Sequence, residues 1–141
     1  CRLDFAQLHG DQDEEFCRKI GVPRVIKVLW PERYSTVQEL QREMERFAPF
    51  CAHFLLDAGK SGGGHGRKMD ISFLKEIEIL RPIFLAGGLT PDMFDPQCSM
   101  SRYFKKIFAL DFNSGVEERP GIKDKQKIAK VLESVQSLKG E

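Results

Sequence analysis

The sequence predicts an α/β protein built on a parallel sheet, and three observations carry that prediction. Short apolar runs begin near residues 3, 24, 53, 82 and 107, separated by 21, 29, 29 and 25 residues, the period of repeated βα units. Amphipathic stretches fill the intervals. The runs are continuously apolar rather than alternating, as expected of parallel strands covered on both faces. No linker or low-complexity segment divides the 141 residues, so a single domain over 1–141 is expected.

The elements follow in order. Leu3 to Leu8 (LDFAQL) reads as a strand ending at His9-Gly10. Asp11, Asp13, Glu14 and Glu15 then place negative charge where a helix N-terminus favours it. That helix should stop at Gly21, just before Pro23. Arg24 to Val28 (RVIKV) is the second strand, with Lys27 at its end. Ser35-x-x-Gln38 has the form of a capping box, opening a helix whose Val37, Leu40, Met44 and Phe47 share one face. His53 to Asp57 (HFLLD) is the third strand, followed by a glycine-rich loop and a helix that Asp70 would cap, with Leu74 and Ile77 turned inward. Pro82 to Ala86 (PIFLA) is the fourth strand, and Thr90-Pro91 suits the start of a helix. Ile107 to Phe112 (IFALDF) is the fifth strand, and a last helix from Asp124 carries Ile128, Val131, Leu132, Val135 and Leu138 on one face.

Charge and cysteine usage narrow the function classes. Lys plus Arg number 22 against 21 Asp plus Glu, a net charge of +1, which speaks against a nucleic-acid grip. No apolar stretch approaches the roughly 18 residues that span a bilayer, and no charged-then-apolar leader opens the chain, so a cytoplasmic protein with no membrane partner is expected. Cys1, Cys17, Cys51 and Cys98 lie far apart without a CxxC pair, which suits reduced thiols. Cys51 and His53 alone do not make a metal site, since zinc ligands come in paired short spacings.

Parallel βα repeats gather every strand C-terminus on one rim, where ligands bind. Here that rim would carry His9-Gly10, Lys27, Asp57, Gly87-Gly88, and Asp111 with Asn113-Ser114-Gly115. The two glycine-bearing turns suit either a phosphate cradle or plain tight turns, because glycine admits close backbone approach and turn amides donate to anions. Asp57 closes an apolar strand; partial desolvation there would raise its pKa and let it serve as a general acid, or else it is a capping aspartate. His9 either orients a ligand or bonds locally. Ser61 to Gly66 with Arg67 and Lys68 either forms a lid over an anionic substrate or is a long loop, and it lacks P-loop spacing.

Five segments occur in order: Gln7-Leu8-His9-Gly10-Asp11, Phe54-Leu55-Leu56-Asp57-Ala58, Leu85-Ala86-Gly87-Gly88-Leu89-Thr90-Pro91, Ser114-Gly115-Val116-Glu117 and Pro120-Gly121-Ile122-Lys123-Asp124. With them the chain resembles the phosphoribosylanthranilate isomerase family, over essentially all its length but only the fourth to eighth βα units of the family's (β/α)₈ TIM barrel. The resemblance implies an isomerase of tryptophan biosynthesis, an aromatic amino-acid pathway. Its reaction is the Amadori rearrangement of N-(5-phosphoribosyl)anthranilate to 1-(2-carboxyphenylamino)-1-deoxyribulose 5-phosphate, with no cofactor and no metal. It implies Asp57 as general acid, His9, Asp111 and Arg67 as substrate-binding residues, and Gly87, Gly88, Ser114 and Gly115 as phosphate-binding residues. Gly63 to Lys68, GGHGRK, resembles the family's glycine-rich loop with His65 in place of a small residue.

Two family features are absent from the 141 residues: the Lys-x-Cys-Gly motif that carries the general base, and the arginine after the family's second strand. A complete barrel takes at least about 200 residues, so a fragment lacking roughly 60 is expected, inactive by itself. Its first and last strands would be open edges that favour self-association or pairing with a complementing N-terminal segment. Two other functions compete: a non-catalytic phosphate-binding half-barrel or one half of a split enzyme, and a five-stranded doubly wound protein of flavodoxin type.

Overall fold

A computed structural model describes residues 2–58, 71–94, 101–104 and 106–139. Five strands form one sheet: β1 (Ala6–Leu8), β2 (Val25–Leu29), β3 (His53–Asp57), β4 (Ile83–Ala86) and β5 (Ala109–Leu110). They lie in sequence order and every neighbouring pair is parallel. The helices are α1 (Glu14–Ile20), α2 (Val37–Phe47), α3 (Ser101–Phe104) and α4 (Lys125–Lys139). A small antiparallel ribbon, β6 (Glu117–Arg119) with β7 (Ile122–Lys123), precedes α4 and has no counterpart in the sequence expectation. Among the described residues no helix is long and apolar enough to cross a membrane.

Local chemistry sets the helix ends. Asp13 caps α1, its Oδ1 accepting from the Phe16 amide at 2.8 Å, and Gly21 closes it at φ 100° while donating to the Cys17 and Arg18 carbonyls. α2 begins one residue later than the Ser35-Gln38 box implies. Thr36 is its cap, accepting from the Glu39 amide at 3.2 Å, and the Glu39 carboxylate reaches back to the Ser35 amide at 2.8 Å. The reciprocal pattern is therefore Thr36-x-x-Glu39, and it aligns Leu40, Met44 and Phe47 on the buried face.

Two expected helices appear as single 3₁₀ turns among the described residues, Ser72–Lys75 and Pro91–Phe94. At the first, Ile71, Phe73, Leu74 and Ile77 are buried, and at the second Pro91 and Phe94. Asp70 lies outside the described residues. In α4, Val131 is buried and Val135 half-buried as expected, whereas Leu132 is exposed and Ile128 lies at the margin.

The two faces of the sheet differ. One packs against the helices: Leu8, Val25, Phe54 and Leu85 join Met44 and Phe47 in the main core. The other carries a smaller apolar patch of Val28, Leu55 and Ala86, with Ile26, Trp30 and Phe84 packed against it. Near the strand N-termini of that face, His53 sits edge-on to Phe5 and Phe84, both at 5.3 Å, and close to Phe108. Phe108 is 65% exposed and Leu3 66%, so large apolar side chains face outward beside β5 and before β1. Cys51 belongs to the helix-side core and His53 to the opposite face, so the two point apart.

Lys27 departs from expectation. It is not a rim residue but the centre of β2, 3% exposed on the helix side. Its ammonium donates to the carbonyls of Gly10 at 3.1 Å and Gln12 at 2.8 Å and lies 4.4 Å from the centre of the Phe47 ring. Burial pushes its pKa down.

α1 and α2 are joined on the outside by Arg46, whose Nη2 donates to Glu14 Oε2 at 2.9 Å. Hydrogen bonding to that guanidinium holds the Glu14 carboxyl at about 2, below its ordinary 4.5. Between these values the unfolded chain binds the extra proton, so this contribution to stability is present above about pH 4.5 and fades as pH falls toward about 2. Urea titrations across that window are expected to show a flatter acid limb for Glu14→Gln than for wild type, and the difference should shrink in high salt. An acid limb unchanged by the substitution would show that the pair contributes nothing there.

Candidate functional site

The ladders place the site. Across β2 and β3, Val28 pairs with Leu55 and Leu29 with Leu56, so one step further sets Trp30 beside Asp57. Asp57 pairs with Ala86. Leu85 pairs with Leu110, and the Asp111 amide donates to the Leu85 carbonyl at 2.8 Å, which sets Asp111 beside Ala86. Trp30, Asp57, Ala86 and Asp111 thus form one row across the C-terminal ends of four strands, on the face opposite the helices. With strands about 4.8 Å apart, the backbones of the two aspartates stand about 10 Å from each other. Ala86 between them leaves space that a larger side chain would fill.

The row has unlike ends. At the β4 and β5 end, Gly87 and Gly88 follow β4 with φ of 98° and 70°, a backbone that side-chain-bearing residues rarely adopt. Asn113 leads into a 3₁₀ turn, Ser114–Val116, after β5. The two turns touch through Gly115: a Cβ placed there would lie 1.7 Å from the Leu89 carbonyl oxygen and 2.7 Å from its carbon. Only glycine permits that approach. The second turn is braced from behind, since Lys123 Nζ donates to the Asn113 carbonyl at 3.0 Å and to Glu117 Oε1 at 2.7 Å, and Lys127 Nζ to the Glu117 carbonyl at 2.7 Å. Hydrogen bonding to Lys123 pulls the Glu117 carboxyl below its ordinary value. Such a pair of turns at strand C-termini can present backbone amides to an anion.

At the β1 and β2 end the imidazole of His9 meets the Trp30 indole edge-to-face, centres 4.9 Å apart. The Arg33 guanidinium lies 3.9 Å from the centre of the indole, and its Nη1 is 3.4 Å from Asp11 Oδ1. Asp57 is half-buried between the two ends; His9 and Asp111 are exposed. The structure therefore brings His9, Asp57, Asp111, Gly87, Gly88, Ser114 and Gly115 to one rim. Arg67, with His65, Lys68 and the rest of the glycine-rich loop, lies outside the described residues.

Trp30 and Arg33 escape the sequence reading. Ending the second strand at Val28 put Lys27 near its end and left Trp30 out, although Ile26, Val28 and Trp30 share one alternating face. The signal was present: the chain has a single tryptophan, it directly follows an apolar run, and Pro31 stops the strand after it.

A family model described as N-(5'phosphoribosyl)anthranilate (PRA) isomerase matches residues 1–134. The chain belongs to that family. It is 46% identical over 134 residues to N-(5'-phosphoribosyl)anthranilate isomerase of Maridesulfovibrio salexigens, covering 95% of this chain and 63% of the relative. It is 44% identical over 139 residues to the protein of the same name from Desulfovibrio desulfuricans, covering 99% and 64%. The chain thus spans less than two thirds of the length of these curated relatives. Among solved structures, phosphoribosyl anthranilate isomerase from Thermus thermophilus superposes with a TM-score of 0.68 at 28% identity, covering 97% of this chain and 62% of that one. The Thermotoga maritima structure gives 0.67 at 27%, covering 96% and 63%. The five-stranded parallel sheet accordingly has the arrangement found in family structures.

The contact of Gly115 with Leu89 yields a direct test. Gly115→Ala must push the two turns apart, costing about 1–3 kcal/mol of overpacking and weakening any phosphate affinity. Gly10→Ala is the control, because its Cβ would meet only the flexible Gln12 side chain, at 3.1 Å. Urea midpoints and calorimetric titration with inorganic phosphate read both effects. Equal behaviour of the two variants would refute the role given to the close approach.

Proposed function

We propose that this chain carries the acid and phosphate-binding part of a phosphoribosylanthranilate isomerase, acting in tryptophan biosynthesis in the cytoplasm. The substrate is N-(5-phosphoribosyl)anthranilate and the reaction its Amadori rearrangement to 1-(2-carboxyphenylamino)-1-deoxyribulose 5-phosphate. The observation that carries the proposal is the position of Asp57, in one row with Asp111 across the small Ala86 and beside the paired glycine turns.

The chemistry follows from that arrangement. The turns at Gly87-Gly88 and Ser114-Gly115 hold the 5-phosphate through backbone donors. This anchors the ribose over the row and converts a diffusional encounter into a fixed geometry. Asp57 delivers a proton to the ring oxygen as the C1–O bond breaks, giving the open-chain Schiff base. A base then removes the C2 proton, and the resulting enolamine tautomerises to the ketone. Asp111 hydrogen-bonds the sugar hydroxyls from the far side of Ala86, while His9 borders the site at β1. Arg67, which follows β3 in the sequence, is assigned to binding the anionic substrate. No metal or organic cofactor takes part in this scheme.

The 141 residues hold no Lys-x-Cys-Gly segment. The proposal therefore assigns the base to a segment beyond them, completing a (β/α)₈ barrel against β1, β5 and the apolar face that bears Phe5 and Phe108. Self-association of the chain through the same surfaces is the arrangement expected when that segment is withheld.

Asp57→Asn tests the central assignment in protein supplied with the base-bearing segment. Turnover is expected to fall about 10²- to 10⁴-fold, the usual contribution of a positioned general acid. Affinity for ribose 5-phosphate should stay within a few-fold. Unchanged turnover would remove Asp57 from the acid role. Phosphate-ester binding with no turnover in the completed wild-type protein would instead favour a non-catalytic phosphate-binding protein.

A further inference from the structure

We propose that Lys123 is a positioning residue for the phosphate end of the ligand: from the β6–β7 ribbon it holds the Asn113–Ser114 peptide so that the Ser114-Gly115 turn presents its amides to the anion. The inference rests on the reading of that turn as a phosphate site, and it gives a purpose to a ribbon that neither the core nor the reaction scheme accounts for.

The ribbon buries almost nothing. Glu118, Arg119, Pro120, Gly121 and Ile122 are all exposed, so apolar packing does not explain it. Its geometry returns one side chain to the rim. Gly121, at φ 81°, turns the chain back, and the antiparallel register sets Lys123 opposite Glu117. The Asp124 amide then donates to the Val116 carbonyl at 2.8 Å, which closes the ribbon against the end of the 3₁₀ turn. Lys123 is thereby brought behind Asn113, ten residues earlier in the chain.

A lysine ammonium has three N–H donors, and here all three are engaged. They reach the Asn113 carbonyl at 3.0 Å, the Asn113 Oδ1, and Glu117 Oε1 at 2.7 Å. Lys123 therefore acts on an anion through the turn rather than by contact. The hold on the carbonyl is directional. Among the described residues every peptide bond is trans, and in a trans peptide the carbonyl and the following N–H point opposite ways. Drawing the Asn113 oxygen toward Lys123 thus directs the Ser114 N–H to the other side of the turn. The same carbonyl accepts from the Val116 amide at 3.3 Å, so the ribbon and the 3₁₀ turn fix one peptide plane together. Glu117 anchors the ammonium in its place: its side chain is only 14% exposed, and its carbonyl receives Lys127 Nζ at 2.7 Å. Gly115, pressed against Leu89, carries the position across to the turn at Gly87-Gly88.

The experiment uses the full protein, with ribose 5-phosphate as the calorimetric probe and amide hydrogen exchange at Ser114 and Gly115 read in the ligand-free state. Lys123→Met is expected to weaken ribose 5-phosphate about tenfold and to speed exchange at both amides as the turn loosens. In turnover assays KM should rise while kcat stays within about threefold, since Lys123 reaches no reacting atom. Lys123→Arg, whose guanidinium can fork between Glu117 and Asn113, should restore most of the affinity. Gly121→Val leaves every charge in place and strains only the hairpin. Its loss of affinity, about threefold, comes from position alone, and it carries the test if Lys123→Met fails to fold. Unchanged affinity in both variants overturns the assignment. So does weaker binding with unchanged exchange in the ligand-free protein, which makes Lys123 a charge acting directly on the anion. A wild-type protein that ignores ribose 5-phosphate overturns the phosphate reading itself, and the assignment falls with it.

Discussion

The site depends on one constraint, the unbroken register of the parallel ladders. From β1 to β5 each strand pairs with the next without a bulge, so residues at equal height share a row and a face. A slip of one residue in β3 would turn Asp57 toward the helices and bring Leu56 to the rim. That slip is opposed on the other side of the sheet, where Phe54 and Leu56 are fully buried against the helices. Burying each such side chain is worth about 1.5–3 kcal/mol, and a slipped β3 would forfeit both while desolvating a carboxylate. The apolar core thus fixes where the polar groups stand.

Lys27 works for the same end from an unexpected direction. An ammonium at the centre of a buried strand is expensive unless its donors are used, and here two of them reach the carbonyls of Gly10 and Gln12. Those residues belong to the connection that leaves β1 directly after His9. The buried cation consequently ties the first connection to the second strand and holds the β1 end of the rim near Trp30. A leucine in its place would pack as well against Phe47 but would leave that connection unanchored.

Much of this was legible in the chain, unevenly so. The bounds of β3 coincide with the segment His53–Asp57 read from the sequence, because that strand is central and its Phe54, Leu55 and Leu56 are apolar and buried. α1 was readable from Asp13 and Gly21, whose side-chain chemistry is local. The start of α2 was off by one, since Ser35 and Thr36 both suit a cap and only the glutamate at position 39 decides between them. The turns after β3 and β4 looked like helices because intervals of three and four are hard to separate over so few residues. The β6–β7 ribbon went unread, as its turn at Pro120-Gly121 joins strands of two or three residues. Rim aspartates and glycines stood out by type and spacing. Lys27 and Trp30 did not, because which face a strand residue takes is decided by what packs on it, and Lys is rarely buried.

The two described cysteines, Cys17 and Cys51, lie in the helix-side core, and burial pushes both thiols up, Cys51 to about 12. At neutral pH the Cys51 thiolate, the form that attacks disulfides and alkylating reagents, is then about one molecule in 10⁵. The core therefore carries its own clock. A thiol reagent consumes these sulfurs only during excursions that expose the packing between helix and sheet, so the pace of labelling reports how often that layer opens while the strands on which the rim stands remain together.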